Sequence, residues 1–220
     1  MSQVERWLSR WAPLAGVPAA ALILVALLSG GSNSPNSNAP VAQVVSFYTA
    51  HATGQKVSAL MGTLGLVFFV FFAVALAGRL RDRGAAGWLA NGIVGGAVAA
   101  MVGLLSLLAF GFVLADNIKF LSPGSVQTLN VLDNNFFLAA NAGFIIFGVV
   151  AGLAVAVSKA PAWWMGWVLF ALGIICAVPP LSWFAFLAML VWSLVAGIWL
   201  AARKPAQVRA SEPDVALTAA

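Results

Sequence analysis

Polar residues in this chain fall into short clusters that divide it into long apolar runs. Residues 13–30, 57–78, 85–115 and 136–157 are four such runs. At about 1.5 Å per helical residue, each approaches or exceeds the roughly 30 Å apolar thickness of a bilayer. Residues 160–202 contain no charge, and Pro179-Pro180 divides them into two further runs, 162–178 and 181–202. The pattern predicts an all-α, polytopic transmembrane helical bundle of six spans occupying residues 13–202. Backbone groups in lipid have no water to bond, and helices satisfy them internally.

The connections carry their own signals. Residues 30–39 read GGSNSPNSNA, a turn-rich loop. Pro40 then suits the first turn of a helix, where its missing N–H costs nothing. Val41, Val44, Val45 and Tyr48 recur at helical spacing, with Gln43, Ser46 and His51 on other faces. The expectation is a short amphipathic helix ending near Gly54. Ser122-Pro123 is a second cap and first turn. The helix it opens has no breaker before Ser158, about 54 Å of helix, so its first dozen residues, up to Asn135, must protrude or bend. Residues 1–12, with Trp7 and Trp11, read as an interfacial N-terminus, and residues 203–220 as a mobile polar tail. A basic start, an apolar core and small residues at 29–31 also fit a cleaved signal peptide; the run 13–30 is read here as a span.

Composition agrees with lipid as the solvent. The chain is 62% hydrophobic and 8% charged, with mean hydropathy +1.00; soluble domains carry about 25% charged residues. The net charge of +5 would suggest nucleic acid in a soluble protein. Here the basic residues flank apolar runs and act as topology signals. With the N-terminus inside, Arg6, Arg10, Arg79, Arg81, Arg83, Lys159, Arg203, Lys204 and Arg209 are cytoplasmic, and only Lys56 and Lys119 are outside. The expected location is the cell membrane, with both termini cytoplasmic and the two amphipathic helices on the extracytoplasmic side.

Cys176 stands alone, which excludes an intrachain disulfide, and His51 is the one histidine. There is no phosphate-binding loop, zinc signature or set of nucleophile and base, and no acid lies at mid-span. No cofactor, metal or catalytic residue is expected. Polar residues gather instead at the outer ends of the first four spans. Asp133, at a helix entrance, suits binding of a cation or a proton. Asn141, about five residues into the fourth span, needs partners that lipid does not offer. The two are eight residues apart, roughly on one helical face. Tyr48 and His51, three apart, are neighbours on the facing connection. These four residues are the candidate ligand site, weighed against separate solvation or interhelical hydrogen bonding of each. Gly92 and Gly96, and Gly148 and Gly152, form GxxxG pairs suited to close helix packing, between spans three and four or with another neighbour.

Phe47-Tyr48-x-x-His51, Leu76-Ala-Gly-Arg79-Leu-Arg81 and Pro161-x-Trp163-Trp164-x-Gly166-Trp167 together resemble an uncharacterised family of small six-span integral membrane proteins from high-GC Gram-positive bacteria. The resemblance implies topology and host type, and no reaction. The expected function is binding or passage of a small apolar or amphipathic molecule through an outward-facing cavity. The rival is an accessory subunit packed on another membrane protein. Membrane lipid, a small hydrophobic ligand, a second copy of the chain or a membrane-protein partner are the expected contacts, and nucleic acid is not.

Overall fold

The computed structural model describes residues 11–31, 34–158 and 162–202. The expectations for residues 1–10, for Lys159 and Pro161 in the tight turn, and for the tail from Arg203 lie outside the described residues. Among the described residues all regular structure is helical. A 3₁₀ turn, Ala12–Ala15, leads into α1 (Gly16–Ser29). There follow α2 (Val41–Ala50), α3 (Ala52–Arg81), α4 (Gly87–Asn117), α5 (Pro123–Asn135), α6 (Phe137–Val157), α7 (Trp163–Ile175) and α8 (Pro179–Ala202).

Among the described residues, five helical stretches are long and apolar enough to cross a membrane: Ala12–Ser29, Ala52–Arg81, Gly87–Asn117, Pro123–Val157 and Pro179–Ala202. The fourth comprises α5 and α6, which meet at Phe136. The 21 residues of α6 suffice to span alone, whereas α5 carries Ser125, Gln127, Thr128, Asn130, Asp133, Asn134 and Asn135. Residues 162–178, read as a span, yield the shorter α7 of 13 residues, about 20 Å. Its helix stops at Ile175, and turn-type hydrogen bonds carry the backbone on to Val178. Pro179 and Pro180 then open α8 in its first turn instead of lying between two helices.

Helices α1, α3, α4, α6, α7 and α8 form a closed ring in that order, with α8 returning to pack on α1. Inside it, Phe69 meets Phe147 and Phe144 at centroid distances of 5.0 and 6.1 Å, and Phe144 meets Phe186 at 4.9 Å. One end of the bundle gathers Leu80, Arg83, Ala162 and Trp199. The other gathers Gly30, Gln55, Gly111, Asp133, Phe137 and Trp183. Met165, early in α7, lies at the first of these ends, and Cys176, just past the last residue of α7, accepts a hydrogen bond from Asn141 of α6.

Helices α2 and α5 pack on each other and on the end of α4, around Val44, Tyr48, Leu114, Ala115, Ile118 and Val126. They cap the second end. Helix α2 stops at Ala50, not near Gly54 as its sequence suggested; His51 separates it from α3, and Gly54 lies inside the first turns of α3. A Cβ on Gly54 would meet the Ser29 carbonyl oxygen, so this glycine permits a close approach of chains and does not end a helix.

Small residues set the ring seams. A Cβ on Gly96 would lie 2.5 Å from the Phe147 backbone nitrogen on α6, and one on Gly92 would meet the Val150 side chain. Gly148 and Gly152 do not return that contact. They lie on the other side of α6 and pack against Gly173 and Phe170 of α7. The two GxxxG pairs therefore serve successive seams, α4 with α6 and α6 with α7, because a ring helix needs a close face on each side. Dispersion and close approach, not water exclusion, hold helices together in lipid.

Candidate ligand-binding cavity

A cavity of about 340 Å³ opens inside the capped end of the ring. Ile23, Ala26, Leu66, Leu104, Leu107 and Leu108 form much of its wall. Phe137, Trp183 and Phe186 form another part and pack edge-on or tilted on one another at 5.6–5.9 Å. The polar lining consists of Ser34, Gln55, Ser58 and Asp133.

Helix α5 brings Asp133 to this lining. Its Oδ2 accepts a hydrogen bond of 2.9 Å from the Tyr48 hydroxyl on α2. Tyr48 itself is buried in the small core between α2, α4 and α5, so its ring fixes the carboxyl from behind. Burial pushes the Asp133 carboxyl up to about 6, opposed by the Tyr48 hydrogen bond, which favours the carboxylate. Burial first, then the charge of Asp133 and the shared hydrogen bond, hold the Tyr48 hydroxyl far above its ordinary range, so it stays a donor.

Opposite Asp133 stands Gln55 of α3. Its Nε2 donates to the Gly30 carbonyl at 2.6 Å. Only the amide nitrogen can donate, so this bond fixes the amide and leaves Oε1 as the acceptor. The positions of Gln55 Oε1 and Asp133 Oδ1 converge on Gly111 of α4: a Cβ there would lie 3.3 Å from the first and 3.4 Å from the second. A glycine at 111 keeps the space between the two oxygens open. Ser58, one helical turn after Gln55, places its Oγ 3.5 Å from where a Gly30 Cβ would sit, with Gln55 Oε1 3.7 Å from the same point. Three side-chain oxygens thus gather at one end of a largely apolar space, two that accept and the Ser58 hydroxyl, which can also donate.

Of the four residues proposed from sequence, two are joined, Tyr48 with Asp133, and of these only Asp133 lines the cavity. His51 does not line it: the ring sits behind Gly31, stacks on Phe47 at 4.4 Å, and has its Nδ1 2.9 Å from the Phe47 carbonyl. Asn141 is not part of this site either. It is sealed between α6 and the end of α7, where its Nδ2 donates to the Cys176 carbonyl at 2.9 Å. That carbonyl belongs to the last turn of a helix that stops early, and terminal carbonyls lack intrahelical partners. Asn141 therefore caps α7 from a neighbouring helix. The eight-residue spacing failed as a guide because it leaves the two side chains about 80° apart around the axis, enough for Asp133 to face the cavity while Asn141 faces the end of α7.

The asparagine-rich part of α5 has a separate task. Gln127 Nε2 donates to the Ser37 carbonyl, Asn130 Nδ2 to the Asn36 carbonyl and Asn134 Nδ2 to the Pro35 carbonyl, at 2.9–3.0 Å. These side chains clasp the loop entering α2. Gln55, Ser58 and Gly111 were not singled out from sequence. Their signal is weak: Gln55 and Ser58 are small polar breaks at helical spacing in an apolar helix, and Gly111 is one glycine among 21.

Among the described residues, no group of three or more His, Cys, Asp or Glu side chains comes together. The Lys56–Asp116 pair lies exposed on the outer face of α3 and α4. Comparison of the chain with protein-family models, with curated proteins and with solved structures finds no match.

Proposed function

We propose that this is a six-span protein of the cell membrane that binds a small amphipathic molecule in the cavity at its capped end, and that this end faces outward. The observation that carries the reading is the cavity itself: apolar walls with a few convergent polar groups are the usual form of a small-ligand site, and its volume falls in the usual range of roughly 300–1,000 Å³. The six-span count draws support from the packing of α7 between α6 and α8 in the ring, with Met165 at the uncapped end. Orientation rests on the arginines at 79, 81 and 83 at the uncapped end, where positive charge favours the cytoplasm. Passage of the ligand across the membrane would need a second opening, so binding is the core of the proposal.

Two experiments test it. Cysteines placed at Ser34, Ser125 and Arg83 are labelled in intact cells with an impermeant maleimide; labelling at 34 and 125 but not 83 is expected, and the reverse pattern overturns the orientation. Radiolabelled dodecanol and dodecylamine are titrated against the protein in phosphatidylcholine nanodiscs. Saturable binding of either, lost in Gly111→Leu, supports the cavity as a site. Absence of saturable binding, or binding unchanged by Gly111→Leu and by the wall variant Leu107→Trp, overturns it.

A further inference from the structure

The polar end of the cavity carries one ionisable group, the Asp133 carboxyl. Asp133 Oδ1 and Gln55 Oε1 present acceptor oxygens, the Ser58 hydroxyl can accept or donate, and one N–H of Gln55 Nε2 is held by the Gly30 carbonyl. The Tyr48 hydroxyl is likewise committed, to Asp133 Oδ2. A phosphate or carboxylate head would meet oxygens and a carboxyl group and find no fixed cation among the described lining residues. A head with several N–H donors and a positive charge meets a matching set: an ammonium has three donors and no acceptor. Phe137, Trp183 and Phe186 line the same cavity, and a cation set over a ring face is favoured.

The remaining space decides what the head is attached to. At 340 Å³ the cavity lies at the small end of the usual range for ligand pockets, roughly 300–1,000 Å³, so an exit for an attached chain bears on what it can hold. One wall residue offers a way out. Leu108 of α4 lines the cavity and also lines a groove of about 440 Å³ on the outer surface between α3 and α4. That groove is apolar along Ala59, Leu60, Leu105 and Phe112, includes Thr63 and Lys56 in its lining, and faces where lipid would lie. Inside, the Leu108 methyls rest against Gly62 of α3, where a Cβ would come within 2.7 Å of Leu108 Cδ1. The partition between cavity and membrane is therefore one flexible side chain set against a glycine.

We infer that the cavity takes a primary ammonium carried on a single alkyl chain, with the head among Asp133, Gln55 and Ser58 and the chain passing Leu108 between α3 and α4 into the membrane. The inference rests on the cavity being a ligand site and adds the class of ligand and its path. Charge complementarity selects the head, and the shared Leu108 selects the path.

The test uses the full-length protein in phosphatidylcholine nanodiscs at pH 7.5, with Gly111→Leu as the reference for non-specific partition. Dodecylamine, dodecyltrimethylammonium, dodecanol and dodecanoate are compared. Charge-assisted hydrogen bonds are worth about 1.5–3 kcal/mol, so dodecylamine should bind at least about tenfold tighter than dodecanol. It should also bind tighter than the trimethylated cation, which has no N–H. Asp133→Asn should bring the amine-to-alcohol ratio close to one while dodecanol still binds. Leu108→Phe should slow association without changing the amine preference, and Leu108→Ala, which keeps the fold if the larger residue does not, should speed it. Dodecanol binding saturably with no amine preference overturns the ligand class and leaves the cavity reading standing. No saturable binding of any probe overturns both. Association rates unchanged in both Leu108 variants overturn the path. Phosphatidylethanolamine added to the disc carries its ammonium on a phosphate with two chains and should not compete; competition overturns the single-chain class.

Discussion

The seam between α6 and α7 permits a sharp test of why this bundle holds together. Gly148 on α6 and Gly173 on α7 face each other so closely that a Cβ on Gly148 would lie 2.6 Å from the Gly173 Cα. Ordinary contact begins at 3.4 Å, so Gly148→Ala forces the helices about 0.8 Å apart (3.4 less 2.6) unless the backbone shifts elsewhere. A radial gap of 0.5–1 Å forfeits roughly a quarter to a half of each contact's attraction. The gap would run along a seam that Gly152 and Gly166 also keep tight. Overpacking of this kind costs about 1–3 kcal/mol. Set against it, alanine is the better helix former by up to about 1 kcal/mol. The net expectation is destabilisation by about 1–2 kcal/mol. Gly95 is the matched control. It is exposed on α4 with nothing within 4 Å of its would-be Cβ, so Gly95→Ala should be neutral or stabilising by up to about 1 kcal/mol. Thermal melts of both variants in one detergent, followed by loss of monodisperse protein, should separate in opposite directions from the parent. Equal melting of the two variants would refute the view that backbone proximity at this seam carries stability.

Binding of dodecylamine should weaken as pH falls through about 6, because Asp133 takes up a proton there and loses its charge; about tenfold is expected by pH 5, read by titration in nanodiscs. The same group makes the fold lose stability as pH rises from 3.8 to about 6, since the folded state holds that proton more tightly than the unfolded chain does. Tyr48→Phe removes the hydrogen bond that favours the Asp133 carboxylate, so the midpoint of the binding profile should move to higher pH. Asn141→Ala leaves the Cys176 carbonyl without its partner and should cost about 1–3 kcal/mol in a detergent melt while leaving amine binding unchanged. Lys56→Ala should change stability by less than about 1 kcal/mol, because its pairing with Asp116 is exposed.

Much of the architecture is legible in the chain because lipid imposes a blunt rule: a segment that crosses must be long, apolar and helical. That rule alone locates the helices that became α1, α3, α4, α6 and α8. Pro40 and Ser122-Pro123 mark where α2 and α5 begin, since each residue's backbone chemistry suits a first helical turn. The length of α7 was not legible, because an apolar run continues past Ile175 and hydropathy does not register where backbone hydrogen bonding changes. Tyr48 and Asp133 are 85 residues apart, and their meeting depends on how α2 docks against α5. The sequence pattern offered Asn141 as Asp133's companion through their spacing; the roughly 80° that eight residues leave between them turned Asn141 aside, and the early end of α7 gave it another partner. Gln55, Ser58 and Gly111 acquire their significance only when α3 and α4 are placed side by side, with a missing side chain leaving room between two oxygens. Periodicity along one helix is a property of the sequence, whereas the convergence of groups from α3, α4 and α5 is a property of packing, and packing alone decided where a ligand could sit.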